Sequence, residues 1–306
     1  MKYVFLFLTL ALSTLTTWAA ETITIMSPYS ASHSGTPAMF RIINQANSQQ
    51  KDYTFILEFR PGGEQIIAVN ALKEKPNNRL AIIAPKFVEH VRAGRLNKDD
   101  YVPIHALGDA CWALIANVGN QSQGIASLRG VPELTVGGVG VGNAAHITAL
   151  ELAQRHNFAV RFIPFKSNFD ALVLLISDQS INMVLERADS YLQYREKNPQ
   201  VTVLGMSCPR RHPDLPDVPT LAEQGMTAPY VFNITVAHVG MPQPKRLQLS
   251  KILNTATLAV GAQEIFRLSD MTPPVFDRRT VQDYYRIRFD YMDRMLQKYQ
   301  STINDR

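Results

Sequence analysis

The chain has 306 residues, 46% of them hydrophobic, with 31 Lys and Arg against 26 Asp and Glu for a formal charge of +5. That length exceeds what one hydrophobic core usually serves, so two domains are the expectation. Acids and bases are mixed throughout with no long basic run, which argues against a nucleic-acid-binding surface.

Met1-Lys2 supplies one positive charge, and residues 4–12 are an apolar stretch too short to span a bilayer as a permanent helix. Residues 1–19 read as a secretory signal peptide. Thr17 and Ala19 are the small residues that favour a cut after Ala19, and the competing reading is an uncleaved N-terminal anchor. No Cys stands there to be lipidated, so the mature chain is expected to be soluble in the periplasm.

Residues 23–26 are expected to form the first strand. The loop Pro28-Tyr29-Ser30-Ala31-Ser32-His33-Ser34-Gly35-Thr36 follows, and Pro37 opens an apolar-periodic helix to about Ala46, with Thr36 as its N-cap. Residues 55–59 form a second strand, Arg60-Pro61-Gly62-Gly63 a turn, and the next helix runs to about Lys75. Residues 80–84 are uniformly apolar, as in a parallel strand buried on both faces. The alternation resumes with a strand at 134–138, a glycine-rich loop to Gly142 and a helix from Ala144 to His156. A strand at 161–165, a helix from Asn168 to Ser177 and strands at 181–184 and 201–206 come next. Residues 219–225 read as a short helix stopped by Gly225. A strand over 231–239 and three helical segments end the chain.

This is an α/β pattern with no solenoid repeat and no low-complexity linker. One lobe is expected from residues 20–118 plus 233–306 and the other from 119–232. Each lobe would be a mainly parallel sheet flanked by helices, and residues 117–123 and 231–235 are the candidate crossing strands of a hinge. Cys111 and Cys208 sit in or beside apolar strand-like runs. Buried, inert thiols are favoured over the disulfide that an oxidising compartment would permit. Two Cys without metal-ligand spacing give no zinc signature.

The run His212-Pro213-Asp214-Leu215-Pro216-Asp217-Val218-Pro219-Thr220-Leu221-Ala222-Glu223-Gln224-Gly225 resembles the hallmark segment of the tripartite tricarboxylate transporter solute receptors, the Bug family. In order and spacing, Pro28-Tyr29, Arg60-Pro61-Gly62-Gly63, Gly142-Asn143-Ala144-Ala145-His146, Pro164-Phe165-Lys166 and Gly240-Met241-Pro242 are similar to further landmarks of that family. The resemblance covers nearly all of the mature chain. It implies a periplasmic binding protein, two lobes closing over a small carboxylate, and delivery to the permease subunits of a tripartite transporter. It also implies carboxylate capture by backbone amides, small hydroxyls and water. A ligand-sensing partner of a membrane signalling protein is the alternative reading. Two segments depart from the family pattern. The first loop carries Ser32-His33-Ser34-Gly35-Thr36 where consecutive glycines and Thr-Asp are usual. Leu185-Glu186-Arg187-Ala188 stands where the family commonly has an Asp facing the cleft.

Candidate ligand-binding residues cluster where loops precede helices, because unpaired N–H groups there hold anions without an arginine. Tyr29, Ser30, Ser34, Gly35 and Thr36 are the expected contribution of the first lobe, with Lys86 after its third strand. Gly142, Asn143, Ala144 and His146 are expected from the second lobe, with Lys166 and Glu186. Each has a plainer alternative: Thr36 and Asn143 as ordinary caps, Lys166 as a solvated lysine, His33 and His146 as packing histidines, Glu186 with Arg187 as a surface pair. In Gly138-Val139-Gly140-Val141-Gly142 the third glycine falls one residue too early for a dinucleotide fingerprint. No nucleophile elbow, metalloprotease motif or paired carboxylate spacing points to an enzyme, and no metal or organic cofactor is expected. The chain is expected to be a monomer.

Overall fold

A computed structural model describes residues 20–31, 33, 35–117, 124–177, 180–227, 231–274 and 280–304. Residues 1–19, expected to be a signal peptide, Ser32, Ser34 and residues 118–123 of the expected crossing lie outside the described residues. The elements in order are β1 (Glu21–Ser27), α1 (Thr36–Gln49), β2 (Tyr53–Phe59), α2 (Ile66–Glu74), β3 (Arg79–Ile83), α3 (Lys86–Arg92), β4 (Tyr101–Ala110) and β5 (Trp112–Asn117). They continue with β6 (Glu133–Gly138), α4 (Ala144–His156), β7 (Ala159–Pro164), α5 (Asn168–Ser177), β8 (Met183–Arg187), α6 (Ala188–Leu192) and β9 (Val201–Met206). The last are β10 (Phe232–His238), α7 (Gln243–Val260), α8 (Ala262–Ser269), β11 (Met271–Thr272), α9 (Val281–Lys298) and α10 (Gln300–Asn304).

Two sheets result: a six-stranded one in the order β11-β4-β10-β3-β1-β2 and a five-stranded one in the order β7-β6-β8-β5-β9. Helix α1 buries Ala38, Met39, Ile42, Ile43 and Ala46, one stripe at helical spacing. Ile23, Ile25, Phe55, Leu80, Ile83 and Phe232 fill the first sheet's interior with essentially no exposure. Each such side chain contributes about 1.5–3 kcal/mol on leaving water.

The two-lobed α/β class agrees with the sequence, but each sheet is mixed. Pairs β1–β2, β1–β3, β6–β7 and β6–β8 are parallel, as β-α-β crossovers require. Pairs involving β10 or β5 are antiparallel, because these strands enter their sheets from the other sheet. Strand β5 pairs with β8 and β9, so residues 112–117 belong to the second sheet and not, as expected, to the first lobe. The chain passes between the sheets at Cys111, six residues before the expected crossing begins. Phe232 pairs with Asp109 and so already belongs to the first sheet.

Cys111 and Cys208 form a disulfide at this passage, with Cα atoms 4.6 Å apart, which corrects the expectation of two inert thiols. The bridge closes a separation of 97 residues, and such closure restricts the unfolded chain. Around it, Ser207 donates its N–H to the Trp112 carbonyl at 2.8 Å, and its Oγ accepts the Trp112 N–H at 2.8 Å. The Cys111 N–H reaches the Asp270 carbonyl at 2.7 Å.

Two further expectations are corrected. Residues 219–225 form a turn: Thr220 and Glu223 exchange hydrogen bonds as a helix start would, but Gly225 bends the chain away at φ +75°. Helix α1 begins at Thr36 itself, with Gly35 in the N-cap position and no side-chain cap.

Candidate functional site

A cavity of about 620 Å³ lies between the two sheets, walled by loops and element ends from both. The first sheet's side supplies Pro28, Tyr29, Ser30, His33, Pro61 and Gln65, and then Lys86 and Glu89 at the start of α3. The second sheet's side supplies Val139, Asn143, Ala144, Lys166, Phe169, Glu186 and Arg187. Trp112, Asn233 and Met271 close the floor near the passage between the sheets. Ligand sites of α/β folds lie in such a place, beyond the carboxyl ends of strands.

Of the residues expected from the sequence, Tyr29, Ser30, Lys86, Asn143, Ala144, Lys166 and Glu186 line this cavity. Gly35, Thr36, Gly142 and His146 do not, and Ser34 is outside the described residues. His33 explains the first omission. Its Nδ1 accepts the Gly35 N–H at 3.1 Å and its carbonyl accepts the Thr36 N–H at 2.9 Å, so α1's start is sealed by its own loop. The His33 ring lies flat on Tyr29, with centroids 3.7 Å apart and planes 6° from parallel. Burial, and then the charge of Arg187, lower the His33 pKa to about 4, which keeps the ring neutral and able to accept. Burial likewise raises the Tyr29 pKa, so its hydroxyl stays protonated.

Beneath α4 the same logic gives a different result. The Asn143 side chain accepts the His146 N–H at 2.9 Å and donates to the Val139 carbonyl at 2.8 Å. Asn143 therefore caps the helix and pins the glycine-rich loop, leaving Ala144 at the cavity wall. His146 is a packing residue. Its ring stacks on Phe162 at 4.3 Å, and its Nδ1 accepts the Gly142 N–H at 3.1 Å.

The cavity's charged groups are mostly committed. Lys86 Nζ bonds Glu89 at 2.6 Å, approaches Glu64 at 3.5 Å and donates to the Val141 carbonyl at 3.3 Å, joining the two sides of the cavity. Burial raises the Glu89 pKa and Lys86 works against that rise. Arg187 makes a two-pronged contact with Asp189 at 2.9 and 2.6 Å and reaches Asp270, on the first sheet's side, at 3.4 Å. Burial works against the Arg187 charge, but these carboxylates outweigh it and raise the pKa. The surface pair expected of Glu186 and Arg187 is thus replaced. Glu186 is buried and accepts the Arg187 backbone N–H at 2.8 Å, while the guanidinium turns elsewhere. Burial raises the Glu186 pKa.

Trp112, Phe169, Asn233, Met271 and Arg187 were not among the expected site residues. Trp112 and Arg187 face each other across the β5–β8 ladder. Their places at the β5 start and the β8 end would identify them, once the sheet order is known.

Two mixed α/β sheets with a ligand-sized cavity between their loop ends define a two-lobed binding protein. A family model described as "Tripartite tricarboxylate transporter family receptor" matches residues 39–295, and the chain belongs to that family. Over 201 residues it is 25% identical to the "UPF0065 protein in tcbD-tcbE intergenic region" of Pseudomonas sp. (strain P51), covering 61% of this chain and 58% of that protein. A ligand-free TctC solute-binding protein from Polaromonas superimposes with a TM-score of 0.71 at 16% identity, covering 92% of this chain and 100% of that one. MatC from Rhodopseudomonas palustris with bound malate gives 0.68 at 16% identity, covering 91% and 100%. A second R. palustris protein, with adipate, gives 0.71 at 17% identity, covering 94% and 98%. At these identities the structural likeness concerns the fold.

Proposed function

We propose that the protein is exported to the periplasm, captures a small carboxylate in the cavity between its sheets, and delivers it to the permease subunits of a tripartite transporter. The observation that carries this reading is the 620 Å³ cavity lined from both sheets, in a chain of the receptor family. Solved structures of this fold include one with bound malate and one with adipate, which supports a carboxylate as ligand. The first lobe would comprise residues 20–110 and 232–304, the second residues 112–206. Closure would bend the two passages around the Cys111–Cys208 bridge, and the permease would recognise the closed form. Neither lobe needs an arginine free for the ligand, since Asn143 and Ala144 at the start of α4 line the cavity, and the first turn of a helix carries unspent N–H groups that hold anions. A thermal-shift screen of di- and tricarboxylates, acidic amino acids and aromatic acids tests the reading. A ligand at a hundred times its Kd should stabilise the fold by about 2.7 kcal/mol. A screen in which no carboxylate raises the melting temperature would overturn it.

A further inference from the structure

Asp270, a buried carboxylate of the first lobe, stands between two side chains that come from the other side of the passage. It ends α8 and leads into β11, with 7% exposure. Its N–H donates to the Phe266 carbonyl at 2.7 Å, and its carbonyl accepts the Cys111 N–H at 2.7 Å, where the chain passes between the sheets. From that anchored backbone, Oδ2 approaches Arg187 Nη2 at 3.4 Å and Oδ1 approaches His212 Nε2 at 3.7 Å. Asp270 itself does not line the cavity, although its neighbour Met271 and its partner Arg187 both do.

His212 is aimed at Asp270 by its own turn. Its Nδ1 accepts the Asp214 N–H at 3.1 Å, which leaves Nε2 to carry the ring proton. The ring lies 5.2 Å from that of Phe266 on α8. Arg187 is held from its other side by Asp189 through Nε and Nη2, and Nη1 makes no bond among the described residues. Burial works against the Arg187 charge, and Asp189 and then Asp270 outweigh it. Both gaps at Asp270 exceed the length of a charge-assisted hydrogen bond, about 2.7–2.9 Å. Asp270 Oδ2 and His212 Nε2 are buried and, among the described residues, neither is hydrogen-bonded. Groups so placed gain from any movement that shortens the gaps.

We infer that Asp270 is a positioning residue for the cavity: from the first lobe it holds Arg187 of the second, and closure completes its bonds to Arg187 and His212. The guanidinium then presents its charge to a bound carboxylate from a fixed place. Asp270 acts through Arg187 and does not touch the ligand. Trp112, opposite Arg187 on the β5–β8 ladder and at the cavity floor, is fixed with it. This inference rests on the receptor reading proposed above.

The test uses Trp112, the one tryptophan outside residues 1–19, together with calorimetric titration of malate, adipate and citrate into the chain without those residues. Asp270→Asn keeps the shape and the backbone bonds but removes the charge. It should shift Trp112 emission to the red, make it more open to acrylamide quenching, and weaken whichever of the three acids binds by about tenfold. Asp270→Glu, which keeps the charge, should recover part of both. On an Arg187→Gln background, Asp270→Asn should cost no further affinity, since the residue acts through that arginine. If Asp270→Asn does not fold, Arg187→Gln breaks the same contact from the second lobe and should expose Trp112 in the same way. Unchanged quenching and affinity in Asp270→Asn would overturn the inference, as would an equal loss of affinity on both backgrounds. If none of the three acids binds the unaltered chain, the carboxylate reading fails, while the quenching comparison needs no ligand and still upholds or overturns the hold of Asp270 on Arg187.

Discussion

The two helix starts that the sequence singles out, at α1 and at α4, each follow a loop containing glycine and each have a histidine close by, but they end up in different states. At α1 the histidine precedes the helix and folds back, occupying the Gly35 and Thr36 N–H groups and turning its ring toward Tyr29. At α4 the histidine lies inside the helix and packs on Phe162, and an asparagine supplies the cap. The α4 start borders the cavity and the α1 start does not. A helix N-terminus is thus a binding element only if its own loop leaves N–H groups unspent. Small differences in where a histidine falls decide that.

The largest effect that would test the contrast is the pH dependence of stability. His33 seals α1 only while neutral, because protonation at Nδ1 removes the acceptor. Its folded pKa of about 4 lies below the ordinary value of 6.5, so the native state binds fewer protons than the unfolded one. Its contribution is full above about pH 6.5 and is lost as pH falls toward 4, by about 3 kcal/mol. His105, buried beside Thr257 Oγ1 at 2.6 Å, also has a pKa of about 4 and adds a second loss of the same sign. Glu89 and Glu186, raised by burial, act in the opposite sense. Urea unfolding at pH 7, 5.5 and 4.5 should therefore show a shallower decline for His33→Asn, which can still accept from Gly35 but does not titrate. Identical declines would mean that His33 does not seal α1 through its neutral ring.

The next effect is at α4. Asn143→Ala removes the cap on His146 and the bond to Val139, and should cost about 1 kcal/mol in chemical denaturation and about tenfold in carboxylate affinity. Asn143→Asp separates the two. It caps as well as asparagine and should restore most of the stability, yet it sets a negative charge at the wall and should leave carboxylate binding weak. Affinity restored along with stability would remove the start of α4 from the binding surface.

Much of this arrangement is legible in the sequence where a local signal is strong. The bounds of α4 and β9 are those expected, since Asn143 caps the one and an apolar run delimits the other. Strand β4, the longest strand of the first sheet, gives no such signal because Pro103 and Gly108 interrupt its pattern. Both fall at pairing irregularities: the register with β10 shifts next to Pro103's partner Val236 and next to Gly108's partner Asn233. At Gly108, φ is +130° and a Cβ would collide with the Thr272 carbonyl, so only glycine fits. The disulfide was not legible because its partners are far apart in sequence and only the fold brings their Cα atoms together. Glu186 and Arg187 read as a surface pair because neighbours in sequence suggest each other. The Arg187 guanidinium instead bonds Asp189 and reaches Asp270, which comes from a distant segment. Positions on strand ends can be read from local patterns, but partners that arrive across the passage between sheets cannot.

The smallest expected effect is the sharpest on the comparison. Thr36 is buried at the first position of α1, away from the cavity wall. Thr36→Val keeps its shape, and the backbone N–H bonded to the His33 carbonyl is unaltered. Carboxylate affinity should change by less than about twofold, with at most about 1 kcal/mol lost from stability. Calorimetric titration of Thr36→Val beside Asn143→Ala reads both helix starts on one scale. If the threonine variant loses affinity as the asparagine variant does, α1 takes part in the ligand site through its first turn. The sealing loop at His33 must then open on binding, since its bonds and the ligand compete for the same N–H groups.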